Sequence, residues 1–377
     1  MKTYGKSALI IVAFVSMLFT MLAMHFFAPA NSLGEELVRL GELRAVISER
    51  YIGEQDEHAL TEAALTATVN ALGDPWSRYL NQAQYEEHLR RMGNQQQGLG
   101  ITFTRYEESD EILILAVTSN SPAYQAGLVA GDILMEIGEY DTRELDDFQV
   151  REVVGAHFGQ HLRLQLRNTQ GEVRTVYAKI GHFYINPVYY EMLEGFIGLV
   201  EIINFDSRSG EETIKAIENL YAQGMQALIF DLRYNPGGRV DELLQILDFL
   251  LPEGEIFIFE DQGGREIIHY AGADFFSIPM VVMVNGNSFS AAEFFAAILQ
   301  EEGVAYIVGT QTSGKSRSQQ LFPLPSGGSV ALSTRRYLTP ARVDLYEVGG
   351  VQPDFVVEME DSEGDPQLEK AIELLLG

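Results

Sequence analysis

The chain has 377 residues, 54 acidic against 26 basic, a net charge of -28, seven histidines and no cysteine. So acidic a surface offers no basic stripe to a phosphate backbone, which excludes nucleic acid as a partner, and the missing cysteine excludes disulfides, thiolate metal sites and cysteine catalysis. The length allows two or three domains, and no low-complexity tract or solenoid repeat runs through it.

Residues 1–34 are expected to be a membrane anchor or signal segment, because Lys2 and Lys6 precede a mostly apolar run over 8–30 and no acidic residue interrupts it. A cleaved signal needs about 7–15 apolar residues and a spanning helix about 20. The run is near the longer limit, so the expectation is a single-pass anchor in the cell membrane with a cytoplasmic N-terminus and an extracytoplasmic body. Ala28-Pro29-Ala30 keeps a cleaved, secreted form open. Residues 35–96 read as an N-terminal helical region: Leu37, Leu40, Leu43, Val46 and Ile47 form one apolar stripe and residues 60–72 carry another. Between them and the next acidic helix, LGDPWSRYL at 72–80 reads as a structural corner, with Gly73-Asp74-Pro75 breaking the helix and Trp76 and Tyr79 as anchors.

Residues 97–181 have a separate logic. Gly98, Leu99, Gly100 and Ile101 form a glycine loop entering a strand, but a dinucleotide fingerprint would need a preceding strand, an immediate helix and a third glycine. A strand over 112–117, the run SPAYQAGLVAGDILMEIGE over 121–139, an amphipathic helix over 145–154 and two further strands follow. This order resembles a PDZ domain, with Gly98, Leu99, Gly100 and Ile101 matching its carboxylate-binding loop and residues 121–132 its SPAxxAGLxxGD signature. The physics agrees: successive N–H groups in a tight loop make a nest for a terminal carboxylate, and the adjacent strand edge accepts a peptide. A structural module with a vacant groove is the alternative. Val154 stands where the family often has an arginine before an LRGxxG turn, and the turn over 155–159 is a residue longer, so the family's gating is not carried over. His157 and His161 lack a nearby acidic third ligand and read as a polar turn, not a metal site.

Over 182–377, strands at 197–203, 227–232 and 279–284 alternate with helices at 210–223 and 240–250, which argues an α/β layer with parallel strands. The fold class expected for the whole is α/β (mixed α+β): an α/β catalytic core, an inserted PDZ-like domain and N-terminal helices. The strand at 227 ends in DLRYNPGG, where Gly237 and Gly238 allow a tight turn with amides facing a cleft and Asp231 and Arg233 brace it. Alone, the tetrapeptide Asn-Pro-Gly-Gly is an ordinary turn. Further on, Ser290 opens a helix, with its hydroxyl at the positive end of the dipole and the Ala291 N–H free for an oxyanion. The plainer reading is an N-cap. A strand at 305–308 and a turn at 309–314 then deliver Lys315. A lysine is a base near pH 7 only if burial or a cationic neighbour lowers its pKa, and a solvated turn lysine is the alternative. Gln319, an uncharged amide, can orient the amine without holding it protonated. Residues 329–334 and 336–339 read as two strands carrying Arg335 and Arg336.

NSFSAAE, followed 25 residues beyond Ser290 by the lysine of TSGK and then by a glutamine, resembles the C-terminal processing peptidases, a family of Ser-Lys proteases. The resemblance implies Ser290, three residues before Glu293, as nucleophile and Ser288 as a decoy. It implies Lys315 as general base, with Thr312, Gly314 and Gln319 in the family's places, and Gly237 with Gly238 joining Ala291 in an oxyanion hole. Residues 74–80, 350–354 and 365–376 match its DPxSxYL segment, its GIxPD turn and its closing helix. Ser316 departs, because the family prefers glycine there. The implied function is that of a serine endopeptidase without cofactor or metal, acting on exported proteins with unstructured, apolar C-terminal tails held by the PDZ-like groove. A homodimer through the N-terminal helices, an activating partner and an inactive resting shape are also implied. No histidine lies in a protease-like motif, which disfavours a Ser-His-Asp triad. The rival reading is a catalytically silent peptide-binding scaffold of the same fold.

Overall fold

The computed structural model describes residues 32–106, 109–359 and 364–377. The leader lies outside them apart from its last residues, and among the described residues no helix is long and apolar enough to cross a membrane. The chain divides into a unit ending at Ala64 and a larger one, Leu65–Gly377. The first holds α1 (Ser32–Arg50) and the start of α2 (Glu57–Asn70). The apolar stripe of α1 is present, with Leu37, Leu43 and Val46 exposed.

The larger unit opens with β1 (Arg78–Leu80) and α3 (Gln82–Met92), which the sequence grouped with the N-terminal helices. A capping box starts α3: the Gln84 N–H donates to Asn81 Oδ1 (2.9 Å) and the Asn81 N–H to Gln84 Oε1 (3.0 Å). Then β2 (Gln95–Gly98) leads into a small antiparallel domain of β3 (Ile101–Arg105), β4 (Ile112–Val117), α4 (Pro122–Gln125), β5 (Ile133–Ile137), β6 (Tyr140–Asp141), α5 (Asp147–Ala156), β7 (His161–Arg167) and β8 (Val173–Lys179). The strand order is β3-β4-β5-β7-β8, with β6 on β5, so β3 is an edge. Period-2 patterning fixes its inner face: in β7, Leu162, Leu164 and Leu166 are buried between half-buried or exposed neighbours and join Ile112, Ile114, Leu134 and Ile137 in a separate core. The return strand β9 (Gly181–Tyr184) pairs with β2, Gly98 opposite Gly181, which closes the domain where the chain entered it.

Beyond it the layered α/β part follows the expected alternation: β10 (Val188–Leu193), β11 (Ile197–Ile202), α6 (Ser209–Ala222), β12 (Ala227–Asp231), α7 (Val240–Leu250), β13 (Gly254–Asp261), β14 (Glu266–Ala271), β15 (Met280–Val284), α8 (Ala291–Glu301) and β16 (Ala305–Gly309). The chain then forms β17 (Arg317–Pro323), β18 (Ser329–Leu338), α9 (Leu345–Val348), β19 (Phe355–Val356) and α10 (Pro366–Leu376). One sheet runs β10-β11-β12-β15-β16-β19, parallel from β11 onward with β10 antiparallel at its edge. Helices α6, α7 and α8 pack on one face and α10 on the other. That double cover explains why all five residues of β15 are apolar and buried.

A second, antiparallel sheet runs β1-β18-β13-β14 with β17 also on β18. Two expectations are corrected here. The two strands at 329–334 and 336–339 are one, β18, because Arg335 and Arg336 do not break it but stand opposite Asp261 and Glu260 of β13. The corner at 72–80 supplies a strand, with Arg78 opposite Ala331. A pairing between such distant residues leaves no local pattern.

Candidate active site

The turns after β12, β15 and β16 meet at the carboxyl ends of parallel strands, where open α/β sheets place their ligands. Two are stapled together by buried polar groups. Ser288 Oγ donates to Leu232 O (2.8 Å) and accepts the Asn285 N–H (3.0 Å), while Asn285 Oδ1 accepts the N–H groups of Tyr234 (3.1 Å) and Asn287 (3.0 Å). Ser288 is thus consumed in holding the turn.

Ser290 immediately precedes α8, and its backbone is at φ 55°, ψ −116°. A left-handed φ costs a side-chain-bearing residue on the order of 1–3 kcal/mol, which surrounding structure must enforce. Glu293 enforces it. This fully buried carboxylate accepts the Ser290 N–H (2.8 Å) and, from the third turn, the N–H groups of Gly314 (2.6 Å) and Lys315 (2.8 Å) and the hydroxyls of Thr312 (2.6 Å) and Ser313 (3.0 Å). One carboxylate therefore ties the backbone of Ser290 to the backbone of Lys315. The sequence reading used Glu293 only to locate Ser290; the four-residue run Thr312-Ser313-Gly314-Lys315, dense in donors, was the available signal that an acceptor must face it.

The Lys315 ammonium makes no hydrogen bond or ion pair among the described residues, and burial, then Arg78 and Arg91, push its pKa down against the opposing pull of Glu293 and Asp74. Arg78 comes from β1 and Arg91 from α3, so the segment read as a corner and the helix after it supply charge to the site. Asp74 accepts Ser77 Oγ (2.5 Å), whose oxygen accepts the Ser333 N–H (3.0 Å), and Trp76 packs edge-on against Tyr346 at 5.3 Å; these contacts hold β1 in place. On α3, His88 lies close enough to Arg91, Arg78 and Lys315 that burial and these three cations lower its pKa to about 4. Among the described residues no hydrogen bond joins Ser290 Oγ to Lys315 Nζ. Gln319 likewise is not bonded to the lysine: its Nε2 donates to Arg317 O (2.7 Å) and Ser333 Oγ (3.1 Å). Ser316 is fully buried and fastened to Asp344, whose carboxylate its hydroxyl meets, to Arg317 and to the Tyr346 N–H (3.2 Å).

The turn after β12 lies directly against Ser290. A Cβ on Gly237 would stand 2.6 Å from Phe289 O and 2.9 Å from Ser290 Cβ, and one on Gly238 would stand 2.4 Å from the Phe205 carbonyl carbon, so both positions exclude a side chain. Gly237 differs from the expectation in one respect. Its N–H is taken by Asn235 Oδ1 at 2.8 Å, whereas the N–H groups of Gly238 and Ala291 have no hydrogen-bond partner among the described residues. Arg233 is gripped by Asp231 (2.6 Å) and by Asp365 at the start of α10 (2.8 Å), a brace set back from the cleft.

In the small domain, Gly98, Leu99, Gly100 and Ile101 line a groove of about 620 Å3 between β3 and α5. Gly100 is at φ 81°, and a Cβ there would meet Ser121 Cβ at 2.2 Å. The N–H groups of Leu99 and Gly100 have no partner among the described residues, while the carbonyls of the same two residues accept the N–H groups of Ala123 (2.8 Å) and Thr118 (2.9 Å). Val154 is part of the groove wall, and His157 Nδ1 is paired with Val153 O at 2.7 Å.

Comparison with known proteins agrees with this geometry. Residues 88–167 match the PDZ domain family model and residues 196–357 that of peptidase family S41. The chain is 31% identical over 316 residues to a carboxyl-terminal-processing protease of Picosynechococcus, covering 81% of this chain and 76% of that one. It is 26% identical over 360 residues to the carboxy-terminal processing protease CtpA of Bacillus subtilis, covering 92% and 76%. The solved structure of a photosystem II D1 C-terminal processing protease superposes with a TM-score of 0.51 at 25% identity, over 89% of this chain and 90% of that one. An α/β peptidase layer, a PDZ domain inserted ahead of it and this degree of identity together show that the chain belongs to the carboxyl-terminal-processing proteases of peptidase family S41.

Proposed function

We propose that the protein is a serine endopeptidase that cuts exported proteins near unstructured, apolar C-terminal tails, with Ser290 as nucleophile and Lys315 as general base. The observation that carries this reading is Glu293, a buried carboxylate that accepts hydrogen bonds from the backbones of both residues and so ties the two turns together. The neutral amine takes the Ser290 proton as Oγ adds to the scissile carbonyl carbon, and the resulting oxyanion is met by the N–H groups of Ala291 and Gly238. The ammonium then gives its proton to the departing amine, leaving an acyl-serine. Lys315 next activates a water that hydrolyses the ester and restores both groups. Gly237 gives the carbonyl room, and its own N–H joins only if it leaves Asn235. Gln319 holds the strand that follows the lysine through Arg317 and Ser333. No metal or cofactor takes part in this scheme.

The tail is held in the PDZ groove by the free N–H groups of Leu99 and Gly100 while its chain extends β3 as an added strand. The unjoined Ser290 and Lys315 side chains correspond to a resting state that substrate or an activating partner converts. The domain plan is an anchor at 1–34, helices that pair protomers through the exposed face of α1, the PDZ domain at 97–181 and the protease at 182–377, with the body outside the cell membrane.

The test is cleavage of an unfolded protein with an apolar C-terminus by the wild type, Ser290→Ala and Lys315→Ala, each checked for folding. Loss in both variants with cleavage by the wild type supports the dyad. Binding without cleavage by all three, from neutral to alkaline pH, supports the scaffold reading instead.

A further inference from the structure

Resting on the reading that the groove takes peptide C-termini, we infer that Arg151 makes it select tails with an apolar last residue and an acidic residue two positions before it. The groove is lined by apolar side chains near the nest, Leu99, Ile101, Val150 and Val154, and by three charged residues of note, Asp147, Glu87 and Arg151. Asp147 is neutralised by Arg105 at 2.7 Å and Glu87 by Arg90 at 2.6 Å. Arg151 has no carboxylate partner among the described residues, in a chain whose acidic residues outnumber basic ones 54 to 26. A cation that lines this groove and has no carboxylate partner among the described residues is available to a ligand.

The register follows from element geometry. A Cβ on Gly98 would stand 3.9 Å from Val154 Cγ1, so the C-terminal part of α5 is level with the carboxylate nest. Arg151 is three residues back along the helix, about 4.5 Å at about 1.5 Å per residue. A peptide strand added to β3 climbs about 3.3 Å per residue and turns alternate side chains to the same side. The last side chain therefore faces the apolar wall beside Val154, and the next one facing α5 is two positions earlier, within the reach of the Arg151 guanidinium. Bulk electrostatics predicts the reverse preference, because a net charge of -28 repels an acidic peptide. The sign of the selectivity thus separates the local contact from the general field.

The experiment is fluorescence anisotropy with the full chain carrying Ser290→Ala, alone or with Arg151→Glu, each checked by thermal unfolding. The probes are labelled ten-residue peptides ending in valine with glutamate, glutamine or lysine two positions before it, plus the glutamate peptide with an amidated C-terminus. The expected result is about five- to tenfold tighter binding of the glutamate than the lysine peptide, reversed in Arg151→Glu, with the amidated peptide weak on both. Carboxylate-dependent binding with no ranking among the three, or a ranking that Arg151→Glu leaves intact, overturns the role of Arg151 and keeps the groove reading. Equal binding of free-acid and amidated peptides, or binding of none, overturns the groove reading and this inference with it.

Discussion

The peptide groove and the cleavage cleft are built by opposite means. In the groove the groups proposed to recognise a tail are backbone N–H groups of a glycine loop, and the side chains around them are apolar or exposed, so a substitution such as Arg151→Glu is expected to change preference without disturbing the frame. In the cleft nearly every polar side chain is already spent: Glu293 on five donors, Ser288 and Asn285 on two turns, Asn235 on Gly237 and on Ile202 O at 2.6 Å. Buried polar networks of this kind are unforgiving, since one lost partner leaves donors unsatisfied in a medium of low dielectric. On the proposed reading, the difference teaches that specificity is open to single substitutions, whereas the chemistry is not.

The sharpest way to break that contrast is Glu293→Gln, which sets an NH2 group against N–H donors. A loss of about 3 kcal/mol in denaturant unfolding is expected, with kcat reduced by more than about a hundredfold, and near-wild-type turnover would sink the view of Glu293 as the common anchor. Gly237→Ala comes next, because its methyl would press on Phe289 O and Ser290 Cβ. A cost of about 1–3 kcal/mol and a large fall in kcat with little change in tail affinity are expected from unfolding, rate and anisotropy measurements.

Asp206 tests the cleft by pH. It is buried beside Gly238, and burial raises its pKa to about 6 against the pull of Arg91 and Arg239. The folded state then holds a proton that the unfolded chain releases near pH 4, so this group makes stability fall as pH rises from about 4 to about 6. Asp206→Asn should therefore be more stable than wild type at pH 8 by on the order of 2 kcal/mol and equal to it below pH 4. A smaller and purely kinetic effect is expected of Arg78→Gln. Removing a cation that depresses the Lys315 pKa moves the rising limb of the pH–rate profile to higher pH, and an unmoved limb would detach β1 from the chemistry.

Much of this was legible in the residues. Parallel-strand alternation, the two turns bearing Ser290 and Lys315, the DLRYNPGG turn and the glycine loop at residues 98–101 could each be read locally, because hydrophobic period and glycine are short-range signals. Ser288 could be set aside only through a family resemblance, and the structure adds the physical ground, its bonds to Leu232 and Asn285. The roles of Arg78 and Arg91 were not legible, since they depend on β1 joining β18 across the inserted domain and most of the α/β layer beyond it. The same holds for the left-handed backbone of Ser290 and for the Gly237 N–H, whose partner is a side chain two residues earlier that reads equally well as a plain turn residue.

By itself, then, the sequence determined which groups this protein has to work with: a serine and a lysine at strand ends, glycine turns with spare amides, a groove loop, no cysteine and an excess of acid. Tertiary structure alone decided which of those groups are free to act. Whether a hydroxyl, an amide or a cation is available depends on who else bonds to it, and in a folded chain those partners come from residues that local pattern cannot connect.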